Sequence, residues 1–249
     1  MQQYFISKNI KVGDCVVFDE EQAHHIRTVL RMRDQEVVRL VDQKNHIFHA
    51  HVQKEKKQVQ ASVFEQVEDK SKSPIKITLI QGLLKGEKWD FLLQKASELG
   101  VHSIVPFVSK RSVAKIKEET LDKKLIRWKK IALEACEQSK RSTLVDIQKP
   151  ITFSQIAQYA SQYNIIAYEE ADVQGESLGA FLKQNPHITS ISIVIGCEGG
   201  FEQEEVAYLK EQGFHCISLG GRILRAETAA MYGISAMQLY GEMMYEKQS

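Results

Sequence analysis

The spacing of apolar positions changes once along this chain. In the first third they recur in short runs: Glu36-Val-Val-Arg-Leu-Val41, Ile47-Phe-His-Ala-His-Val52, and the alternating Val59, Ala61 and Val63. Period-two runs rich in β-branched residues predict strands. One helix, over residues 20–30, interrupts them, and the set predicts a small β-barrel. Glu68-Asp-Lys-Ser-Lys-Ser-Pro74 is polar and closed by proline, so it reads as a linker and divides the chain into 1–73 and 74–249. Beyond it strands and helices alternate. Strands are expected over 75–80, 104–107, 165–168, 191–195 and 216–219, and helices over 87–99 and 121–139. The first of these helices places Trp89, Leu92, Leu93, Ala96 and Leu99 on one face, and Gly100 ends it. Such alternation predicts an α/β fold built on a parallel sheet. A closing helix over 227–246 carries Met231, Ile234, Met237, Leu239, Tyr240 and Met243, an apolar face that suits either the core or a second copy of the chain.

Two glycine-centred loops stand out against this pattern. Gly196-Cys-Glu-Gly-Gly-Phe201 follows the run Ser190-Ile-Ser-Ile-Val-Ile195, and Leu219-Gly-Gly-Arg-Ile-Leu-Arg-Ala-Glu-Thr-Ala229 follows Phe214-His-Cys-Ile-Ser-Leu219. Each leads into a helix-like stretch. Two strand-to-helix turns this close in sequence predict adjacent parallel strands whose C-terminal ends build one ligand cleft. Glycine lets backbone approach a ligand closely. A Gly-Gly pair is also an ordinary turn. Neither loop has the Gly-x-Gly-x-x-Gly spacing of a dinucleotide site or the Gly-Lys-Ser/Thr of a P-loop.

Composition narrows the partners. The chain has 249 residues, 43% of them hydrophobic and 26% charged, as in ordinary globular proteins. No apolar stretch approaches the roughly 20 residues that span a bilayer. The N-terminus Met-Gln-Gln-Tyr-Phe lacks the basic and apolar regions of a signal peptide. Cys15, Cys136, Cys197 and Cys216 are scattered without metal-ligand spacing, as expected of a protein in a reducing cytoplasm. His46, His49 and His51 lie close together, but only the last two share a strand face, so no metal site is expected. The net charge of +1 hides an asymmetry: residues 76–141 hold fifteen Lys/Arg against eight Asp/Glu, and residues 142–249 hold six against thirteen. The basic clusters suit a phosphate backbone, although lysines on helices are usually just solvated.

Taken together, the two loops resemble the C-terminal signature of SPOUT-class RNA methyltransferases, most closely the RsmE family of small-subunit rRNA uridine-N3 methyltransferases. That family typically reads Ile-Gly-Pro-Glu-Gly-Gly-Phe and then Leu-Gly-x-Arg-Ile-Leu-Arg-Thr-Glu-Thr-Ala. Here Cys197 replaces the usual proline and Ala226 the usual threonine. Gln81-Gly-Leu-Leu-Lys-Gly-Glu-Lys88, Gln94-Lys-Ala-Ser-Glu-Leu-Gly-Val101 and Pro106-Phe-Val-Ser-Lys-Arg-Ser112 are similar to the opening of the same catalytic domain, and residues 127–139 to its next helix. His25-Ile-Arg-Thr-Val-Leu-Arg31 resembles an N-terminal PUA-like module, the kind of small barrel that binds RNA. An arginine common near the family's N-terminus is absent, with Gln2 and Gln3 in its place.

The resemblance implies a trefoil knot at the C-terminal loops, a homodimer, and S-adenosylmethionine (SAM) as cofactor. It implies cofactor contacts from Ile195, Gly196, Gly199, Gly200, Leu219, Gly220, Ile223, Leu224 and Ala229. The implied partner is 16S rRNA in the small ribosomal subunit, with Arg27, Arg31, Lys85, Lys110, Arg111 and Arg222 expected on phosphates. Uridine N3 carries a weakly acidic proton, so methylation there needs a base or a cation that stabilises the uracil anion. Arg225 is the candidate cation, and Glu198 and Glu227 are the candidate acids or bases. Both glutamates have bland alternatives, Glu198 as a loop brace and Glu227 as a carboxylate satisfied by helix N-terminal N–H groups. Ribose 2′-O methylation is the rival within the class, though residues 81–87 lack its Asn-x-Gly-x-x-x-Arg pattern. A non-catalytic RNA-binding protein of the same fold is the rival outside it.

Overall fold

The period-two runs before residue 68 form a five-stranded half-barrel, and the alternating pattern after it forms an eight-stranded sheet. The computed structural model describes residues 1–56, 58–112, 118–168 and 176–246. They divide into two units, 1–72 with 136–143, and 73–135 with 144–249.

In the first unit, β1 (Gln3–Phe5), β2 (Cys15–Val17), β3 (Val37–Val41), β4 (Ile47–Lys54) and β5 (Val59–Val67) take the order β1-β3-β4-β5-β2. β1 runs parallel to β3, and the remaining pairs are antiparallel. Alternate residues of β3, β4 and β5 (Val38, Leu40, Ala50, Val52, Val59, Ala61) point into one core with Tyr4, Phe18 and Ile26. The edge strands β1 and β2 do not pair with each other among the described residues, so the barrel is open. The expected helix is real but split. α1 (Glu20–His24), capped by the Asp19 side chain on the Gln22 N–H at 2.8 Å, passes into a π turn at His25–Val29, and Arg31 leaves it with φ +51°. Residues 136–143 join this unit through specific bonds: the buried Gln3 side chain donates to the Arg141 carbonyl at 2.7 Å, and the Ser142 hydroxyl donates to Asp69.

The second unit is an all-parallel sheet of β6 (Lys76–Gly82), β7 (Ser103–Val108), β8 (Asp146–Ile147), β9 (Ile151–Thr152), β10 (Tyr163–Ala167), β11 (Glu176–Ser177), β12 (Ser190–Ile195) and β13 (His215–Ser218). The order is β11-β13-β10-β12-β6-β7-β8, with β9 also on β7. Its helices are α2 (Glu87–Glu98), α3 (Glu118–Gln138), α4 (Leu178–Gln184), α5 (Gln203–Glu211) and α6 (Ala226–Glu246). Both faces of the sheet are covered. On one face Ile80, Val105, Ile166 and Val194 pack with α5 and the 3-10 segment Phe153–Tyr159. On the other, α6 lies over β6 and β12 and packs against α2 and α4. This two-sided burial explains the Ser-Ile-Ser-Ile alternation of β12. The strand is buried almost throughout, and Ser192 is satisfied inside by bonds to the Tyr159 carbonyl at 2.6 Å and the Ser161 hydroxyl at 2.8 Å.

One sequence expectation is corrected. β12 and β13, which carry the two glycine loops, are not neighbours. β10 lies between them and pairs with both. Short parallel strands with no hydrogen-bonded turn to fix their partner can take any neighbour the crossovers allow, and local spacing does not reveal which. The closing helix is resolved into two faces: Ile234 and Met237 are core, whereas Tyr232, Leu239 and Met243 are exposed.

Candidate active site

β10, β12 and β13 all end at the same edge of the sheet, and there the loops they feed enclose a cavity of about 620 Å³. The first wall is the loop after β12. Gly196, Glu198, Gly199 and Gly200 line it, and a tight turn, Gly200 N–H to the Cys197 carbonyl at 3.0 Å, closes it. Gly200 has φ +67°, which a side chain would strain. Ile195 is buried beneath the loop and does not line the cavity. The loop is anchored from below. The Gln81 side-chain amide, fully buried, donates to the Gly196 carbonyl at 3.0 Å and the Gly82 carbonyl at 3.1 Å. Gly82 itself runs so close that a Cβ there would lie 2.4 Å from the Cys197 nitrogen. That is why Gln-Gly ends the first strand of this unit.

The second wall is the loop after β13. Leu219, Gly220, Gly221, Arg222, Ile223, Leu224 and Arg225 line it, followed by Ala226 and Ala229 at the start of α6. The Gly220 N–H is held by the Ser218 hydroxyl at 3.1 Å, and Arg225 accepts the first helical bond from Ala229 at 2.8 Å. Ile223 is 86% exposed on this wall, a cost in hydration that a ligand or partner covering it would remove. Between the two loops, the end of β10 contributes Ala167 and Tyr168.

Charge in the cavity is uneven. Arg222 and Arg225 are exposed on its wall and form no ion pair with any described residue. Glu198 faces Lys88, whose ammonium lies 3.5 Å away and also lines the cavity. Glu227 does not line it, and its Oε2 is buried with no hydrogen-bond partner among the described residues. An acceptor left in that state is costly and calls for a donor from a ligand or a partner. Among the described residues no group of three metal-ligating side chains occurs.

The residues expected to contact RNA are dispersed. Lys85 is exposed in the turn before α2, outside the cavity. Lys110 is paired with Glu204 at 2.6 Å and Arg111 with Glu202 at 2.7 Å, pairs that raise both basic groups and hold the Glu202 carboxyl below its ordinary range. Arg27, in the first unit, bonds the carbonyls of Glu55 and Gln58. Arg31 is exposed beside it in sequence. Sequence reasoning missed Ala167, Tyr168, Ser218 and Lys88. The first three carry no glycine or charge that would mark them, and Lys88 was one of many helix lysines.

Comparison with known proteins agrees with this layout. Residues 71–238 match the family model described as an RNA methyltransferase domain, and residues 18–64 match that of an RNA methyltransferase PUA domain. Ribosomal RNA small subunit methyltransferase E of Bacillus subtilis is 35% identical, with 98% of each chain covered. The Aquifex aeolicus protein of the same name is 33% identical over 90% of this chain and 94% of its own. Among solved structures, ribosomal RNA small subunit methyltransferase E from Neisseria gonorrhoeae, bound to S-adenosyl methionine, superposes with a TM-score of 0.87 at 32% identity, covering 96% of this chain and 97% of that one.

Proposed function

We infer the roles of the cavity residues from one premise: the chain belongs to the ribosomal RNA small subunit methyltransferase E (RsmE) family. It is a SAM-dependent methyltransferase of 16S rRNA, and the family's target is N3 of a uridine. The cavity suits the cofactor on its own terms. Its volume of about 620 Å³ lies within the range of small-molecule sites. At Gly220 and Gly221 an added Cβ would meet nothing within 4 Å, so the floor is bare backbone open to a ligand.

Bound SAM supplies an electrophilic methyl group on a sulfonium that leaves readily. The protein's part is to align the acceptor and make its nitrogen nucleophilic. The two loops hold the cofactor, mostly through the backbone of Gly196, Gly199, Gly200, Leu219 and Gly220, with Leu224 and Ala229 as apolar walls. Arg225, unpaired and on the cavity wall, stabilises negative charge on uracil oxygens as the N3 proton leaves. Glu198, also on the wall, takes that proton, with the Lys88 ammonium 3.5 Å from its carboxylate. Glu227, whose Oε2 is buried and which lies one residue from the wall, is the second candidate acceptor. Arg222 and Lys85 of this unit meet phosphates, and Arg27 and Arg31 supply phosphate contacts of the half-barrel's own. Leu239, Met243 and Tyr232 form the exposed stripe of α6 that joins two copies into a homodimer. A ribosomal substrate places the enzyme in the cytoplasm.

The carrying observation is that both glycine loops and two unpaired arginines face one cavity. Gly221→Val tests it, because Gly221 lines the cavity and a Cβ there meets nothing within 4 Å, so the variant should fold while placing a β-branched side chain on the cavity wall. In cells lacking the gene, wild-type protein should restore N3-methyluridine to small-subunit rRNA by nucleoside mass spectrometry. The folded Gly221→Val variant should not, and should fail to bind SAM in calorimetry. Undiminished SAM affinity in that variant removes the cavity from consideration.

A further inference from the structure

The loop after β7 is fastened to the cofactor loop at several points, and Arg111 makes the central one. Its guanidinium NH1 donates to the Gly199 carbonyl at 3.0 Å, while its Nε donates to Glu202 Oε1 at 2.7 Å. Gly199 packs directly on the arginine: a Cβ there would stand 2.9 Å from Arg111 Cβ and 3.2 Å from the Arg111 carbonyl oxygen. On either side the fastening is extended. Glu205, only 5% exposed, accepts from the Lys110 N–H at 3.1 Å and the Glu202 N–H at 2.9 Å, and the Ser109 hydroxyl lies 3.8 Å from the Cys197 sulfur.

We propose that Arg111 is a positioning residue for the cofactor loop, setting the course of Gly199 and Gly200 along the cavity rather than contacting RNA phosphate. This rests on the reading that the cavity binds SAM. The physical case is the shape of the group. A planar guanidinium offers N–H vectors in two directions and so spans the loop between a main-chain carbonyl and the N-cap residue of α5. An ammonium at the same place can satisfy one acceptor well but not both. The carbonyl of Gly199 is thereby committed to the protein side of the loop, which leaves the remaining backbone of the turn ordered before any ligand arrives. Pre-ordering of this kind appears in ligand affinity.

The test uses the full-length protein and SAM alone, by calorimetry, followed by steady-state kinetics with rRNA. Arg111→Lys and Arg111→Ala should each weaken SAM binding on the order of 10-fold, with KM for SAM rising in step and kcat at saturating SAM nearly unchanged. Glu202→Ala, which keeps the Arg111–Gly199 bond and removes only the carboxylate partner, should weaken SAM less than Arg111→Ala does, and the Arg111→Ala/Glu202→Ala double variant should be no worse than Arg111→Ala alone. RNA affinity and its salt dependence should stay as in the wild type. Wild-type SAM affinity in folded Arg111→Lys overturns the proposal, as does a shallower salt dependence of RNA binding, which would make Arg111 a phosphate contact. The reading beneath it fails differently: if Gly221→Val also binds SAM normally, the cavity itself is misassigned.

Discussion

Arg225 sits at the last position before α6, with its carbonyl committed to the helix and its guanidinium beside the cavity without an ionic partner among the described residues. That combination separates a chemical role from a structural one. Arg225→Lys keeps the charge but loses the fork that can meet two uracil oxygens. Turnover should fall on the order of 10²-fold, as when one oxyanion donor is removed, with SAM affinity little changed. Raising the pH should partly rescue the variant, because more uridine ionises unaided. A pH–rate profile beside a melting curve decides the matter, since a flat profile with a lowered melting point would make the residue a brace. The two glutamates also part company at this scale. Both were candidates on sequence, and only Glu198 lines the cavity. Glu227 is instead half-buried off the wall, and its buried Oε2 has no hydrogen-bond partner among the described residues.

Among the elements, α6 does two jobs on two faces. Ile234 and Met237 close the sheet, and the turn between them and the C-terminus presents Leu239 and Met243, 59% and 52% exposed, in line with Tyr232. Positions seven and four residues apart share one helical face, so these three form a continuous apolar stripe. If it is the contact between two copies, Leu239→Asp places a charge in that contact and should raise the dimer dissociation constant on the order of 10-fold or more. The core should be left intact. Sedimentation should show a lighter species with an unchanged circular dichroism spectrum, and a persistent dimer would move the interface elsewhere. The periodicity of the helix was visible in the sequence. Which of its apolar residues face inward was not, because 227–246 is apolar on more than one side and only the packing on β6, β12 and α2 selects the buried face.

For the molecule as a whole, charge is the property that spans the chain. Arg27 and Arg31 lie in the half-barrel, and the basic excess lies in residues 76–141. Each phosphate contact on single-stranded RNA contributes a salt slope of about 0.7. Arg27→Ala and Arg31→Ala should therefore each flatten the dependence of rRNA affinity on salt by about that amount, leaving SAM binding untouched. An unchanged slope in both would remove the half-barrel from the electrostatic contact. Point substitutions are the right probe, because residues 136–143 belong to the half-barrel's own unit and a truncation at residue 73 would strip the Arg141 carbonyl of the Gln3 side chain.

The sequence by itself determined the local features: where strands and helices alternate, where glycine is required, and which two loops line the cavity. These are set by side-chain period and by backbone conformations that few residues adopt, and Gly200 and Gly220 do have positive φ. Motif order alone was enough to identify the family resemblance. Strand order was decided only by the tertiary structure. β10 enters between β12 and β13 and brings Ala167 and Tyr168 to the cavity, and neither residue differs from any other strand end in the sequence. Tertiary structure also decided which charges are free. Arg111 and Arg225 look alike as arginines in loops that follow strands, yet one is bound to Glu202 and Gly199 while the other has no ionic partner among the described residues. Pairing depends on what the fold brings from 90 residues away, and no local pattern encodes a distance of that kind.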